Sequence, residues 1–184
     1  MLTTRVGGPA DAAAVARLWT VANVARQAHL GLPLGPVAGA VSLTAAEDRV
    51  RGRLAGPGAV LILGFAREAS GSAPGSAADG EPAAMALVVQ ALTDDGAGTD
   101  PLPGLAHVSM VAVHPDQWGR RLGGVVMQRA QVEARHAGYT RAQLWTHETN
   151  HRAQRLYERL GWALSGRTTA DEHGEQIRHY TRDL

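Results

Sequence analysis

The stretch from Val108 to Trp162 constrains this chain most, because it sets an apolar run, a glycine-bearing turn and two helical patterns end to end. Val108-Ser109-Met110-Val111-Ala112-Val113 reads as the end of a buried strand beginning near Leu105. The turn His114-Pro115-Asp116-Gln117-Trp118-Gly119-Arg120-Arg121-Leu122-Gly123-Gly124 leads into a helix predicted from about Gly123 to His136. The first turn of such a helix leaves N–H groups without partners, at the positive end of aligned peptide dipoles. That end suits a phosphate. Glycines let its oxygens approach the main chain, and Arg120 and Arg121 add charge. The pattern is neither a P-loop, since its lysine is missing, nor a dinucleotide fingerprint, since Gly119, Gly123 and Gly124 fall at other intervals. On these residues alone, an ordinary strand-to-helix turn is the other reading.

A second pattern follows in Asn150-His151-Arg152-Ala153-Gln154-Arg155-Leu156-Tyr157-Glu158-Arg159-Leu160-Gly161-Trp162. On a helix Asn150 and Tyr157 share a face with the small Ala153 between them. Leu156 and Leu160 are expected to turn toward the core, and Gly161 to end the helix as a left-handed cap.

In this order the two patterns resemble the GNAT superfamily of N-acetyltransferases. The resemblance covers most of the chain and is most specific between residues 107 and 162. It implies a single α/β domain over residues 1–184, with a mixed central sheet of about seven strands flanked by helices. It also implies acetyl-CoA as co-substrate, with a coenzyme A pyrophosphate held by main-chain amides of the turn, here Trp118, Gly119, Arg120, Arg121, Leu122, Gly123 and Gly124. The family's pattern of Gln or Arg, two residues, Gly, one residue, then Gly or Ala falls on Trp118, Arg121 and Gly123. Trp118 and Arg121 depart from it. The resemblance further implies that the main chain of Met110, Val111 and Val113 pairs with the pantetheine arm, that a bulge aims one N–H at the thioester oxygen, and that Asn150 and Ala153 lie on the cofactor side. As an ordinary buried strand, residues 108–113 would look identical.

An amine attacks a thioester as the free base and the departing thiolate benefits from a proton, so this chemistry wants a base, an acid and an oxyanion donor. The resemblance makes Tyr157 the acid; a half-buried helix tyrosine with a solvated hydroxyl is the alternative. For the base, His107 aligns where many relatives carry glutamate, and an unperturbed pKa of about 6.5 would suit it. Glu148 is a second candidate and a water chain a third, while a structural role is the common fate of a lone histidine. The first helix and the following loop would wall the acceptor pocket, which makes Arg26, Gln27 and His29 acceptor contacts or simply solvated side chains.

His147-Glu148-Thr149-Asn150-His151 also spells the zinc signature of metallopeptidases. Zinc would need both histidines on one continuous helix. Thr149 and Asn150 are helix starters, and the strand-like run Arg141 to Thr146 lies directly before them, so no metal is expected. A coenzyme-A-binding module without catalysis is the remaining alternative.

The formal charge is +1 and every basic residue other than histidine is arginine, a balance that argues against general nucleic-acid binding. Without cysteine, disulfides and thiolate chemistry are excluded. Met1-Leu2-Thr3-Thr4-Arg5 lacks a signal-peptide core and no run is long enough to cross a bilayer, so a cytoplasmic protein with no membrane partner is expected. The acceptor would be a small-molecule or peptide amine, and homodimers are common among resembling proteins.

The remaining elements follow from local pattern. Leu2 to Val6 reads as a strand, and Asp11 as the cap of a helix with Val15, Leu18, Trp19, Ala22 and Ala25 inward, ended by Gly31 to Pro36. Thr44-Ala45-Ala46-Glu47 reads as a capping box opening a helix through Leu54. Ala59 to Phe65 and Ala83 to Leu92 are strands, Ser70 to Gly80 and Asp94 to Gly104 loops. Val126, Ala130, Ala134 and Ala137 make the inner stripe of the helix after the turn, which Gly138 ends. Trp162 to Thr169 and Gln176 to Arg182 close the chain as an antiparallel pair.

Overall fold

A computed structural model describes residues 2–31, 43–66, 80–94, 97–171 and 174–184. Its seven strands are β1 (Leu2–Gly7), β2 (Val60–Ala66), β3 (Ala84–Leu92), β4 (Pro101–Val113), β5 (Arg141–His147), β6 (Ala163–Ala170) and β7 (Gln176–Asp183). They form one mixed sheet in the order β1-β2-β3-β4-β5-β7-β6, and only the β4–β5 pair is parallel. Four α-helices among the described residues cover it: α1 (Ala12–His29), α2 (Leu43–Leu54), α3 (Leu122–His136) and α4 (His151–Arg159).

Alternation along the strands divides the core in two. Val60 and Ile62 of β2 and Ala84, Ala86 and Val88 of β3 join Leu122, Val126, Met127, Ala130 and Ala134 of α3 on one face. Leu61, Leu63, Met85 and Leu87 face the opposite way, against Ala12, Val15 and Leu18 of α1 and Val50 of α2. In β4 the alternation changes phase. Ala106 and Val108 belong to the α3 face, whereas Met110 and Ala112 belong to the α1 face. The cause is a bulge: Val88 pairs with Val108 and Leu87 with Met110, so Ser109 is an extra residue with no opposite number.

The parallel pair is short. Leu105, Ala106 and His107 lie beside Arg141, Ala142 and Gln143, and no pairing continues beyond them. The upper parts of the two strands therefore part, leaving the β5-facing main chain of residues 108–113 without a strand partner among the described residues. That wedge defines the cleft described below.

Several local expectations are corrected. β4 begins at Pro101, because residues expected to loop extend its pairing with β3, where Leu92 lies opposite Pro101. Ala137 is exposed past the last turn of α3, and buried Tyr139 takes the place the stripe assigned to it. α2 already includes Leu43, so Thr44 is not its cap, and Glu47 instead reaches Arg51 at 2.5 Å. Asp11 stands at the N-cap of α1 but makes no cap bond there: its carboxylate accepts from Gly8 N–H and from Arg5. Gly161 does adopt the left-handed conformation, at φ 78°, and a side chain there would also run into Arg182. The expected loop from Ser70 lies outside the described residues as far as Asp79, as do Pro33 to Pro36.

Candidate active site

Beyond His107 the space between β4 and β5 opens into a cavity of about 440 Å³. α1 walls it with Trp19, Ala22, Asn23, Arg26, His29 and Leu30. β4 contributes Val108, Ser109, Val111, Ala112 and Val113, the turn and α3 contribute Gln117 to Gly119 and Arg121 to Gly124, and Trp145 to His147 of β5 with residues of α4 complete it.

The turn is built as a donor cradle. Gly119 sits at φ 85°, and Arg121, the N-cap of α3, at φ 62° and ψ 14°. Arg121 thus keeps the left-handed backbone of a position where glycine would be unstrained. The N–H groups of Gly119, Arg121, Leu122 and Gly123 find no main-chain acceptor among the described residues. Gly123 lets α4 come close, since a Cβ there would lie 3.2 Å from Leu156 and 3.5 Å from Val113. Trp118 is held by its indole N–H, which donates to the Val113 carbonyl at 2.9 Å, with Arg152 stacked on its ring and His29 edge-on at 6.1 Å. Trp118 therefore joins the turn to both α1 and α4. Arg120 lies outside the wall, its guanidinium donating to Gln117 at 3.0 Å.

Across the cleft α4 begins at Asn150, whose side-chain oxygen accepts from Ala153 N–H at 3.2 Å. Asn150, Arg152, Ala153, Leu156, Tyr157 and Arg159 face the cavity. Leu156 was expected on the core side; it packs at the core's edge and also lines the cleft, because Gly123 opens room for it. Tyr157 is buried, and its ring is boxed by Trp162 at 6.2 Å and Tyr180 at 6.1 Å. Burial, then the neighbouring Tyr180, push its pKa far above a tyrosine's ordinary value. The phenol is therefore neutral at physiological pH and keeps a proton that it can donate.

The base candidates lie elsewhere. His107 sits where β4 and β5 are still paired and is not part of the cavity wall. Glu148 is also off the wall, and its carboxylate accepts from Arg178. Met110 turns its side chain to the α1-face core and, like them, is not part of the cavity wall. His147, by contrast, is on the wall, with Nε2 placed 3.1 Å from Asp171 Oδ2 and 3.5 Å from Glu175 Oε2. In the sequence His147 stands out only as half of a zinc motif. That motif is split: His147 ends β5 and His151 opens α4, so no continuous helix aligns them. No group of three or more potential metal ligands occurs among the described residues, and none of the described helices is long and apolar enough to cross a membrane.

Residues 44–162, roughly two thirds of the chain, match the Acetyltransferase (GNAT) family. The chain belongs to that family. It is similar in structure to a GNAT-family acetyltransferase of Streptococcus pneumoniae, with TM-score 0.67, 16% identity and 100% of both chains covered. It is likewise similar to the YncA protein of Salmonella typhimurium with its cofactor acetyl-CoA, with TM-score 0.69, 18% identity, and 100% of this chain and 94% of that one covered. The ribosomal-protein-S18-alanine N-acetyltransferase of Escherichia coli gives 0.66, 16%, 100% and 94%. At these identities the likeness is one of fold. Comparison with curated proteins gives no match.

Proposed function

We propose that the protein is an acetyl-CoA-dependent N-acetyltransferase that acylates a primary amine by direct attack within a ternary complex. One observation carries this reading: the unpaired main chain of β4 and the neutral, buried Tyr157 line one cleft, whose end is the cradle of free N–H groups at Gly119, Arg121, Leu122 and Gly123. A thioester bound there supplies an activated acyl group. The remaining chemistry belongs to the chain.

The N–H groups of Gly119, Arg121, Leu122 and Gly123 hold the diphosphate, Gly124 keeps the helix start narrow, and Arg120 and Arg121 add charge at the rim. Trp118 fixes the turn. Val111, Val113 and Met110 present main-chain groups to the pantetheine arm, and the bulge at Ser109 turns a β4 N–H toward the acyl oxygen to receive the developing negative charge. Asn150 and Ala153 form the facing wall.

Tyr157 donates to the leaving sulfur. Its raised pKa makes complete transfer to an ordinary thiolate, at about 8.5, uphill by itself. The hydrogen bond to sulfur is therefore its main contribution, and the same dry surroundings raise the thiolate's own affinity for a proton. His147, which lines the cavity where His107 and Glu148 do not, serves as the base: with its Nε2–H held by Asp171, Nδ1 is the lone pair that receives the amine proton.

Thiol release from acetyl-CoA, measured over a panel of amines, tests this. Amine-dependent release is expected. Tight acetyl-CoA binding without turnover on any amine would instead mark a binding module, and zinc-dependent peptidase activity would favour the split motif after all.

A further inference from the structure

The acceptor side of the cleft is short of negative charge. None of the described residues on its wall is an aspartate or glutamate, so none of them offers a carboxylate to an ammonium. The α1 wall instead carries Arg26, whose side chain is only 17% exposed. Its Nε and Nη1 are buried without a hydrogen-bond partner, and among the described residues the carboxylate paired with it, Glu175 Oε2, lies 3.7 Å away, beyond hydrogen-bonding reach. Burying a guanidinium is costly unless its donors are satisfied. Glu175 Oε2 is also unsatisfied and is shared with His147. The two groups form a loose pair that a ligand can tighten or split.

The neighbouring wall points the same way. Trp145 faces the same cavity and has a buried indole N–H with no partner. Ser109 also lines the cavity, and its hydroxyl accepts from Arg53 of α2, which itself lies off the wall. The acceptor side thus offers donors and positive charge. Asp171 and Glu175 stand behind the wall, engaged with His147.

We infer that the acceptor is a small amine carrying a carboxylate, and that Arg26 receives that carboxylate; this rests on the acyltransferase reading above. A cavity of about 440 Å³ must seat both the thioester end and the acceptor, which favours a compact molecule. The cationic surroundings also disfavour an ammonium, so the amine is more readily present as the free base that attacks. Polyamines and lysine-rich peptides meet the opposite of what they need.

The test is acetyl transfer to the common amino acids, to their methyl esters and to simple diamines, with the native chain and with Arg26→Gln and Arg26→Lys. The free acids are expected to exceed their esters by about tenfold or more in kcat/KM. Arg26→Gln should erase that preference mainly through KM for the acids, and Arg26→Lys should restore part of it, since it keeps charge but not the planar fork. Acetyl-CoA titration of each variant checks that the cleft is intact. Esters or diamines used as well as the acids, or an Arg26→Gln loss equal on acids and esters, overturns the inference and leaves the acyltransferase reading standing. A chain that neither binds acetyl-CoA nor turns over any amine overturns both.

Discussion

Replacing Arg121 by glycine separates what the backbone of the cradle does from what its side chain does. Arg121 holds φ 62° at the start of α3, a region that costs a residue with a Cβ about 1–2 kcal/mol. Glycine removes that cost but gives its unfolded chain extra freedom, worth roughly 0.5–1 kcal/mol in the other direction. The guanidinium makes no hydrogen bond or ion pair with a described residue, so losing it should cost folding little. The net is a stabilisation of about 0.5–1 kcal/mol, or roughly 1–4 °C in Tm for a chain this long. Arg121→Ala, which keeps the Cβ, should show no such gain. Calorimetric unfolding of the three proteins without ligand reads this difference. Acetyl-CoA titration of the same proteins should show affinity weakened by no more than about threefold, because exposed charge pairs contribute little. A glycine variant no more stable than the alanine variant would refute the strain argument, and a loss of affinity above tenfold would show that the side chain, rather than the amides, holds the diphosphate.

Other substitutions probe the rest of the cleft. Tyr157→Phe should lower kcat by about 10–100-fold with acetyl-CoA affinity nearly unchanged; because the native phenol stays protonated through neutral pH, the rate should show no Tyr157-dependent fall below about pH 10, and an unchanged kcat at all pH values would remove it as the acid. Gly123→Val adds methyl groups to a Cβ position already 3.2 Å from Leu156, so acetyl-CoA binding by calorimetry should weaken at least about tenfold; native affinity would mean the ligand does not pass this neck. Asp11 is held below the ordinary carboxylate range, first by its hydrogen bond from Arg5. A depressed carboxylate stabilises the fold above its unfolded pKa and ceases to as pH falls through its folded value. Asp11→Asn should therefore cost up to about 1 kcal/mol at pH 7 in denaturant unfolding and progressively less as the pH falls below the ordinary carboxylate range, and an equal loss at neutral and acid pH would contradict the linkage.

How far the sequence discloses this arrangement depends on whether the cause is local. The strand, turn and helix around Gly119 were legible because an apolar run, a Pro and clustered glycines act within a few residues, and Gly161 likewise announced its left-handed cap. Ser109 was not legible as the bulge residue. A bulge is a mismatch of register with β3, and a single strand's sequence carries no register. The same applies to His107 and His147: which one meets the cleft is decided by the point where β4 and β5 part, set by contacts far apart in the chain. Arg26 fell on a predicted helix, yet helical periodicity cannot tell a polar side chain facing a cavity from one facing water. Arg121 departs from the family's glycine, but only the backbone shows that it holds a left-handed conformation. Ala137 misled because a helical stripe continues in sequence past the residue where Gly138 ends it.

The most direct measurement is a crystal structure of the protein with acetyl-CoA bound. The diphosphate should rest on the N–H groups of Gly119 to Gly123, the pantetheine should run beside Val111 and Val113, and the sulfur should lie within hydrogen-bonding reach of the Tyr157 hydroxyl. A sulfur remote from that hydroxyl, with the diphosphate away from the start of α3, would contradict the proposed chemistry.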